Sequence, residues 1–480
     1  MDHRTLRAAV RRRLSVDTRA LASFRVVVAV CLLVDLSMRA RNVTVFYTDA
    51  GVLPRGVLSD LFPSLARLSL HALSGTVLSQ VVLLSVSAVA AGALLVGFRS
   101  RTAASVAFVL HASLYARNPF VLNGGDSMLL VLLVLAPFLP LGARWSVDAV
   151  GNGETAPETV LRAPGVAALL FVVVIYSSNA VLRYRGEAWM SGTAVRRVFE
   201  LETVTVLVGP YLAELPAVLE AVNWAWVGML TLSPLLVVLT GRSRAVFAGA
   251  FVVAHGAMAA TLRLGVFPLV VIAALVLFLP PPFWDRVESV VPSGVSSAVP
   301  SRTVATPRTR LVPSGLPVAR VGSFVAIVVL AAVVLWQGAA LGYVDFIVSG
   351  GPDPDEYAWT MYSPTPQKTY GWYVPSVEPG SGDDTDGLRN VPVDEDGSVF
   401  RDTPPDAVEA YPTTLWYRYL TDLDDGSERR QRAFADWVCR KTEDGGGDPR
   451  TVELWYVERE VVLDGTDKEE RTRLLTHDCA

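Results

Sequence analysis

Long apolar runs separated by short polar loops fill the first 350 positions, and a different pattern takes over beyond them. A helix crossing about 30 Å of hydrocarbon at 1.5 Å per residue needs about 20 mostly apolar residues. Nine stretches have that character: 21–40, 76–98, 102–117, 127–142, 163–182, 219–240, 244–262, 265–282 and 321–347. Lipid offers the backbone no hydrogen-bond partners, so these stretches are expected to be helices. From Asp353 onward the chain reads as strands and turns. GWYVPSV (371–377) and VELWYVEREVVL (452–463) are rich in Val, Trp and Tyr, and RTRLLTHD (471–478) suits a partner strand of 452–463. Asp386-Gly387, Asp396-Gly397 and Asp425-Gly426 mark turns, and 406–421 and 428–441 read as short helices.

The predicted fold class is therefore an all-α polytopic membrane bundle of about nine transmembrane helices with a C-terminal extracytoplasmic α+β domain. Residues 1–20 form a basic amphipathic segment on the inner leaflet, with a basic helix over 4–20. The bundle spans 21–283. A Ser/Pro/Arg-rich cytoplasmic linker covers 284–320, the last helix 321–347, and the acidic domain 348–480.

Composition sharpens this picture. The 480 residues are 51% hydrophobic and 18% charged, with a mean hydropathy of +0.40. Soluble domains carry roughly 25% charge, so a simple soluble enzyme is excluded, as is a wholly disordered chain. Residues 351–480 hold 29 acidic and 14 basic side chains, a net −15. The preceding 350 hold 17 acidic and 28 basic, a net +11. With the N-terminus in the cytoplasm and nine alternating spans, 17 arginines fall on inner segments and 10 on outer loops, counting Arg39 and Arg117 at the outer ends of their spans among the ten. Basic residues favour the cytoplasmic side, which places the acidic domain outside a multi-pass cell-membrane protein. Arg12-Arg13 before an apolar run imitates a twin-arginine export signal, but eight further spans argue against it. Nothing in this charge pattern points to nucleic acid.

Ionisable groups inside a span are costly and point to function by default. They are Arg25, Asp35, His111, Asp126 and His255, joined by Asn179 with Ser177 and Ser178. Structural roles compete with functional ones. Arg25 can snorkel toward the interface, and the two histidines can bond across helices. Arg25 and Asp35 lie roughly 15 Å apart along a helix and do not pair. Cys439 and Cys479 are either a disulfide or two free thiols. DLDDGSE (422–428) departs from a calcium loop because Gly426 is its fifth residue, so it reads as a solvated acidic surface, and no metal site is expected.

Several segments together carry a resemblance. LASFRVVVAVCLLVDL (21–36), FYTDAGVLPRG (46–56), Asp126-Ser127, RWSVDAV (144–150), FVVVIYSSNAVLRYRGEAWMSGTAV (171–195) and AHGAMAATLRLGVFPLVVIAALVLFLP (254–280) occur in that order. They resemble the HTTM (horizontally transferred transmembrane) domain family, which is similar to the membrane domain of vitamin K-dependent gamma-carboxylases. The Arg-rich, Lys-poor usage and acidic domain fit a halophilic archaeon with a GC-rich genome; codon bias alone gives the same usage.

The resemblance implies a naphthoquinone bound in the bundle and a lysine that deprotonates it before glutamate is carboxylated. That lysine precedes the tryptophan matched by Trp189, where this chain reads Leu182-Arg183-Tyr184-Arg185. All three lysines, Lys368, Lys441 and Lys468, lie in the C-terminal part. An arginine stays protonated and cannot replace that base, so classical carboxylation is not expected. What remains is a membrane protein that binds a menaquinone-like quinone or other lipid. Arg183, Arg185 and Trp189 would sit at the outer mouth, with Arg25, Asp126, Asn179 and His255 among the cavity's polar groups. The alternative is a non-catalytic module presenting its acidic domain to an extracytoplasmic protein partner. A transporter is a third reading, but no inverted repeat supports it.

Overall fold

The computed structural model describes residues 3–150, 157–290, 318–344, 358–379, 389–390, 411, 413–463 and 468–479. Helices stand at all nine apolar stretches. Five are long and apolar enough to cross a membrane: α2 (Thr18–Arg41), α3 (Val77–Val96), α6 (Ala163–Arg185), α8 (Gly241–Thr261) and α11 (Val318–Ala340). They follow a short α1 (His3–Leu14). Between them lie α4 (Ser100–Arg117), α5 (Gly124–Leu135), α7 (Pro216–Thr231), α9 (Phe267–Leu275) and α10 (Pro281–Val290).

Stretch 102–117 forms an unbroken 18-residue helix, α4. Proline explains why the other three fall short, because it removes a backbone donor and clashes with the preceding turn. The apolar stretch 219–240 breaks at Pro234. α5 ends in a 3₁₀ turn containing Pro137. At Pro280-Pro281-Pro282 the chain bends by 107° from α9 into α10. Counting that bent pair as one span gives six. Helix α10 occupies 281–290, so the expected linker does not begin at 284; residues 291–317 lie outside the described residues.

The N-terminal basic helix also ends sooner than its composition suggests. Val16 and Asp17 form β1, which pairs antiparallel with β2 (Thr159–Val160). The Asp17 side chain then caps α2 by accepting from the Arg19 backbone N–H. Helix α2 is the spine of the bundle and packs against α3 and α9; α9 in turn packs on α5 and α8. Helix α6 holds α7 and α11.

The C-terminal part is an antiparallel sheet in the order β4-β3-β5-β6: β3 is Thr369–Pro379, β4 Arg389–Asn390, β5 Pro449–Glu460 and β6 Lys468–Asp478. Trp372 pairs with Val457, and Val457 with Arg471. Two helices cover it, α12 (Thr414–Leu420) and α13 (Glu428–Asp444). The start of the helix expected over 406–421 lies outside the described residues. Cys439 on α13 is disulfide-bonded to Cys479 just past β6.

This sheet does not hang free of the bundle. One apolar core contains Trp372, Trp416, Tyr419, Phe434 and Trp437 together with Phe46, Tyr47, Val52, Leu114 and Val121. Phe46, in the short helix Val43–Tyr47 that follows α2, meets Trp416 edge-on at 5.0 Å and Tyr419 at 5.7 Å. Tyr419 and Arg440 donate to the carbonyls of Val52 and Gly51. Such shared burial makes bundle and sheet one cooperative unit. Trp416→Ala should cost about 3–5 kcal/mol, the range for truncating a buried large aromatic, and should speed protease cleavage between the two parts. Unchanged thermal unfolding and cleavage would show that the core is not shared.

Candidate functional site

Four formally charged side chains meet where the bundle joins the C-terminal sheet. Asp35 and Arg39 are one turn apart on α2, the spacing at which helical neighbours touch. Arg39 Nε donates to Asp35 Oδ2 at 2.8 Å. Its Nη1 donates to Tyr47 Oη at 2.5 Å and its Nη2 to Asp126 Oδ1 at 3.1 Å. Burial pushes the Tyr47 hydroxyl up to about 12, so it accepts as a neutral group. Tyr115 of α4 donates to Asp35 Oδ2 at 3.1 Å, and the Arg39 guanidinium lies 4.5 Å over its ring.

Asp126 sits in the first turn of α5. Its Oδ2 accepts from the Asn123 backbone N–H at 2.8 Å, closing a capping box. The same oxygen takes a 2.9 Å bond from Arg418 Nη1 of α12. Arg418 also reaches the carbonyls of Val121 and Leu264. Gly265 makes this approach possible, because a Cβ there would stand 2.4 Å from Arg418 Nη2. The four side chains are at most 7% exposed and formally neutral together. Buried charge is tolerable only when paired in this way.

A second group lies at the end of α6. Arg183 Nη1 donates to Asn179 Oδ1 at 2.9 Å, and its guanidinium lies 4.2 Å over the Trp189 ring. Residues 358–364 cross this group as a strap. Asn179 Nδ2 donates to the Trp359 carbonyl at 2.6 Å, Arg183 Nη2 to that of Met361 at 3.0 Å, and Trp189 Nε1 to that of Tyr362 at 3.0 Å. The Trp359 ring packs 5.5 Å from Phe171, and its Nε1 donates to the Gly124 carbonyl and Ser127 Oγ beside Asp126. The side chains expected at an open outer mouth are thus covered by the chain's own backbone. Arg185, by contrast, is exposed and donates to the Leu341 carbonyl.

The strap gathers Asn179, Arg183 and Trp189 and bonds beside Asp126 at Gly124 and Ser127; Arg25 and His255 stand apart. Arg25 is 1% exposed and donates to the Trp145 carbonyl at 2.6 Å rather than snorkelling to water. It lies against Gly97, where a Cβ would stand 1.6 Å from its Nη1. His255 and His111 do not bond across helices; each Nδ1 meets a carbonyl of its own helix, Phe251 and Ala107. His255 is packed among Tyr176, Trp226 and Phe267 at 5.6–6.1 Å. Its Nε2 and the Tyr176 hydroxyl, both buried, have no hydrogen-bond partner among the described residues.

Arg39 and Arg117, which the charge pattern assigns to outer loops, are fully buried; Arg117 donates to the carbonyls of Leu53 and Thr48. The Asp35-x-x-x-Arg39 spacing was the readable signal for the first. Nothing local marks Arg418 or Trp359. In the acidic turn, Asp424 is held by Tyr373, whose hydroxyl donates to it at 2.5 Å. Burial, then this carboxylate, raises the tyrosine and keeps it a donor. Among the described residues no three His, Cys, Asp or Glu side chains cluster as metal ligands.

Apolar spanning helices with paired charges in their interior define a multi-pass membrane protein. Residues 14–284, more than half of the chain, match the HTTM domain, and the chain belongs to that family. No curated protein and no solved structure matches it. The matched region contains Asp35, Arg39, Asp126, Asn179, Arg183 and Trp189, whereas Arg418 and the strap lie beyond it.

Asp126→Ala would leave both Arg39 and Arg418 short of a carboxylate. Breaking a buried pair costs about 3–5 kcal/mol, so the melting temperature in detergent should fall clearly. Wild-type melting would mean that the network is not buried as described.

Proposed function

We propose that this chain is a non-catalytic membrane module whose HTTM bundle grips an acidic C-terminal domain and presents it, outside the cytoplasm, to a protein partner. The observation that carries this reading is the strap. Asn179, Arg183 and Trp189 spend their donors on the carbonyls of residues 359, 361 and 362, and Asp126 spends an oxygen on Arg418. Donors already engaged by the chain's own backbone are poor recognisers of a ligand, since displacing the strap would leave several buried polar atoms unpaired. Of Asn179, Arg183 and Trp189, only Arg183 keeps a donor, Nε, without a partner among the described residues. The absence of a lysine from the bundle supports the same reading. The arginine asymmetry supports the outward placement.

A second reading keeps a quinone or similar lipid in the bundle, and one observation favours it. The unpartnered Tyr176 hydroxyl and His255 Nε2 lie among aromatic rings, with Tyr176 and Phe251 stacked at 4.6 Å. Flat rings beside free polar atoms suit a quinone's face and carbonyls.

One experiment separates the two. The chain is purified from menaquinone-containing membranes, its bound quinone is extracted and counted, and labelled carbon dioxide incorporation into a glutamate peptide is followed. The module reading expects quinone far below one equivalent and no incorporation. One equivalent of quinone that disappears in His255→Leu would replace it with the second reading.

A further inference from the structure

The opposite end of α2, about 33 Å along the helix from Arg39 at 1.5 Å per residue, borders a cavity of about 470 Å³. Arg11, Arg12, Thr240, Arg244 and Phe278 line it. A volume of that size accepts a small polar molecule or a lipid headgroup.

Its charge is one-sided. Arg244 is 3% exposed, and only its Nη1 is engaged, donating to the Arg13 carbonyl at 2.9 Å. Its Nε and Nη2 are buried with no partner among the described residues. The guanidinium rests 5.1 Å over the Phe278 ring, which holds it in place. The 21-residue helix α8 starts at the same wall. Thr240 gives it no side-chain cap, and its first turn holds no acidic residue. Its leading N–H groups and dipole therefore favour an anion. Arg11 and Arg12 add charge from the last turn of α1. Asp17 is the one carboxylate among the lining residues, and it is spent on Arg19, accepting from its backbone N, Nε and Nη2 at 2.8–3.1 Å. Arg19 is further paired with Asp285 and Glu288.

We propose that this cavity is a phosphate-binding site, built for the headgroup of an anionic lipid or for a small soluble phosphate ester, with Arg244 as its buried anchor. A buried guanidinium with two free donors is completed by phosphate oxygens in bidentate fashion. Leu277 and Pro280–Pro282, also along the wall, would contact the glycerol or acyl portion of a lipid. The site is independent of the strap and of the function proposed above.

The test uses the full chain in nanodiscs of phosphatidylcholine alone or mixed with an equal part of phosphatidylglycerol. Thermal unfolding and retained lipid by native mass spectrometry are measured, and inorganic phosphate is titrated into the phosphatidylcholine discs. Stabilisation and retention by phosphatidylglycerol alone identify a lipid site; saturable stabilisation by phosphate in neutral discs identifies a soluble phosphate ester. In either case Arg244→Met should weaken the effect about tenfold or more, as expected for a lost hydrogen bond to a charged group. If that variant fails to fold, the exposed pair Arg11→Gln with Arg12→Gln replaces it and should weaken binding in the same direction. No response to either anion overturns the proposal. So does a phosphatidylglycerol effect that Arg244→Met leaves intact, because that would be surface attraction of the basic helix alone.

Discussion

The contact between Asp126 and Arg418 sets the relation between the two halves of this molecule. Asp126 is fully buried at the head of α5 and needs more than the Arg39 it shares with Asp35. The second guanidinium arrives from α12, 292 positions along the chain. With two carboxylates against two guanidiniums the buried group is formally neutral, which is the condition under which charge survives burial. Aromatic packing between Phe46, Trp416 and Tyr419 then seals the joint.

The strap extends the same logic. Trp359 bonds to the first turn of α5 through its ring and to Asn179 through its carbonyl. It thereby links the charged group to Arg183 and Trp189. A family bundle that supplies polar side chains is closed by segments outside the family's matched region. This division accounts for a pocket-like set of residues that the chain itself occupies.

Much of the fold was legible because helix formation in an apolar run is local. Helices appear at every expected stretch, and the prolines that break three of them short were equally visible. The strands 371–377 and 452–463 follow from β-branched and aromatic content, and 471–478 from its place as partner of 452–463. The HTTM resemblance rested on motifs that a single chain displays. The site was legible only in part. Asp126, Asn179, Arg183 and Trp189 stood out as polar groups among apolar neighbours, but nothing near them in sequence names Arg418 or Trp359. Arg39 closes an apolar run and so resembles a loop charge, although Asp35 one turn earlier offers it a partner. Arg25 and His255 looked equivalent to the others and lie elsewhere, since depth in a span does not fix which face a residue occupies.

The most direct measurement is a double-mutant cycle on thermal unfolding with Asp126→Asn, Arg418→Gln and the pair. Residues sharing one buried network couple by about 0.5–3 kcal/mol, so the double variant should unfold with far less loss than the two single losses combined. Strict additivity would show that bundle and C-terminal domain are not joined through this contact.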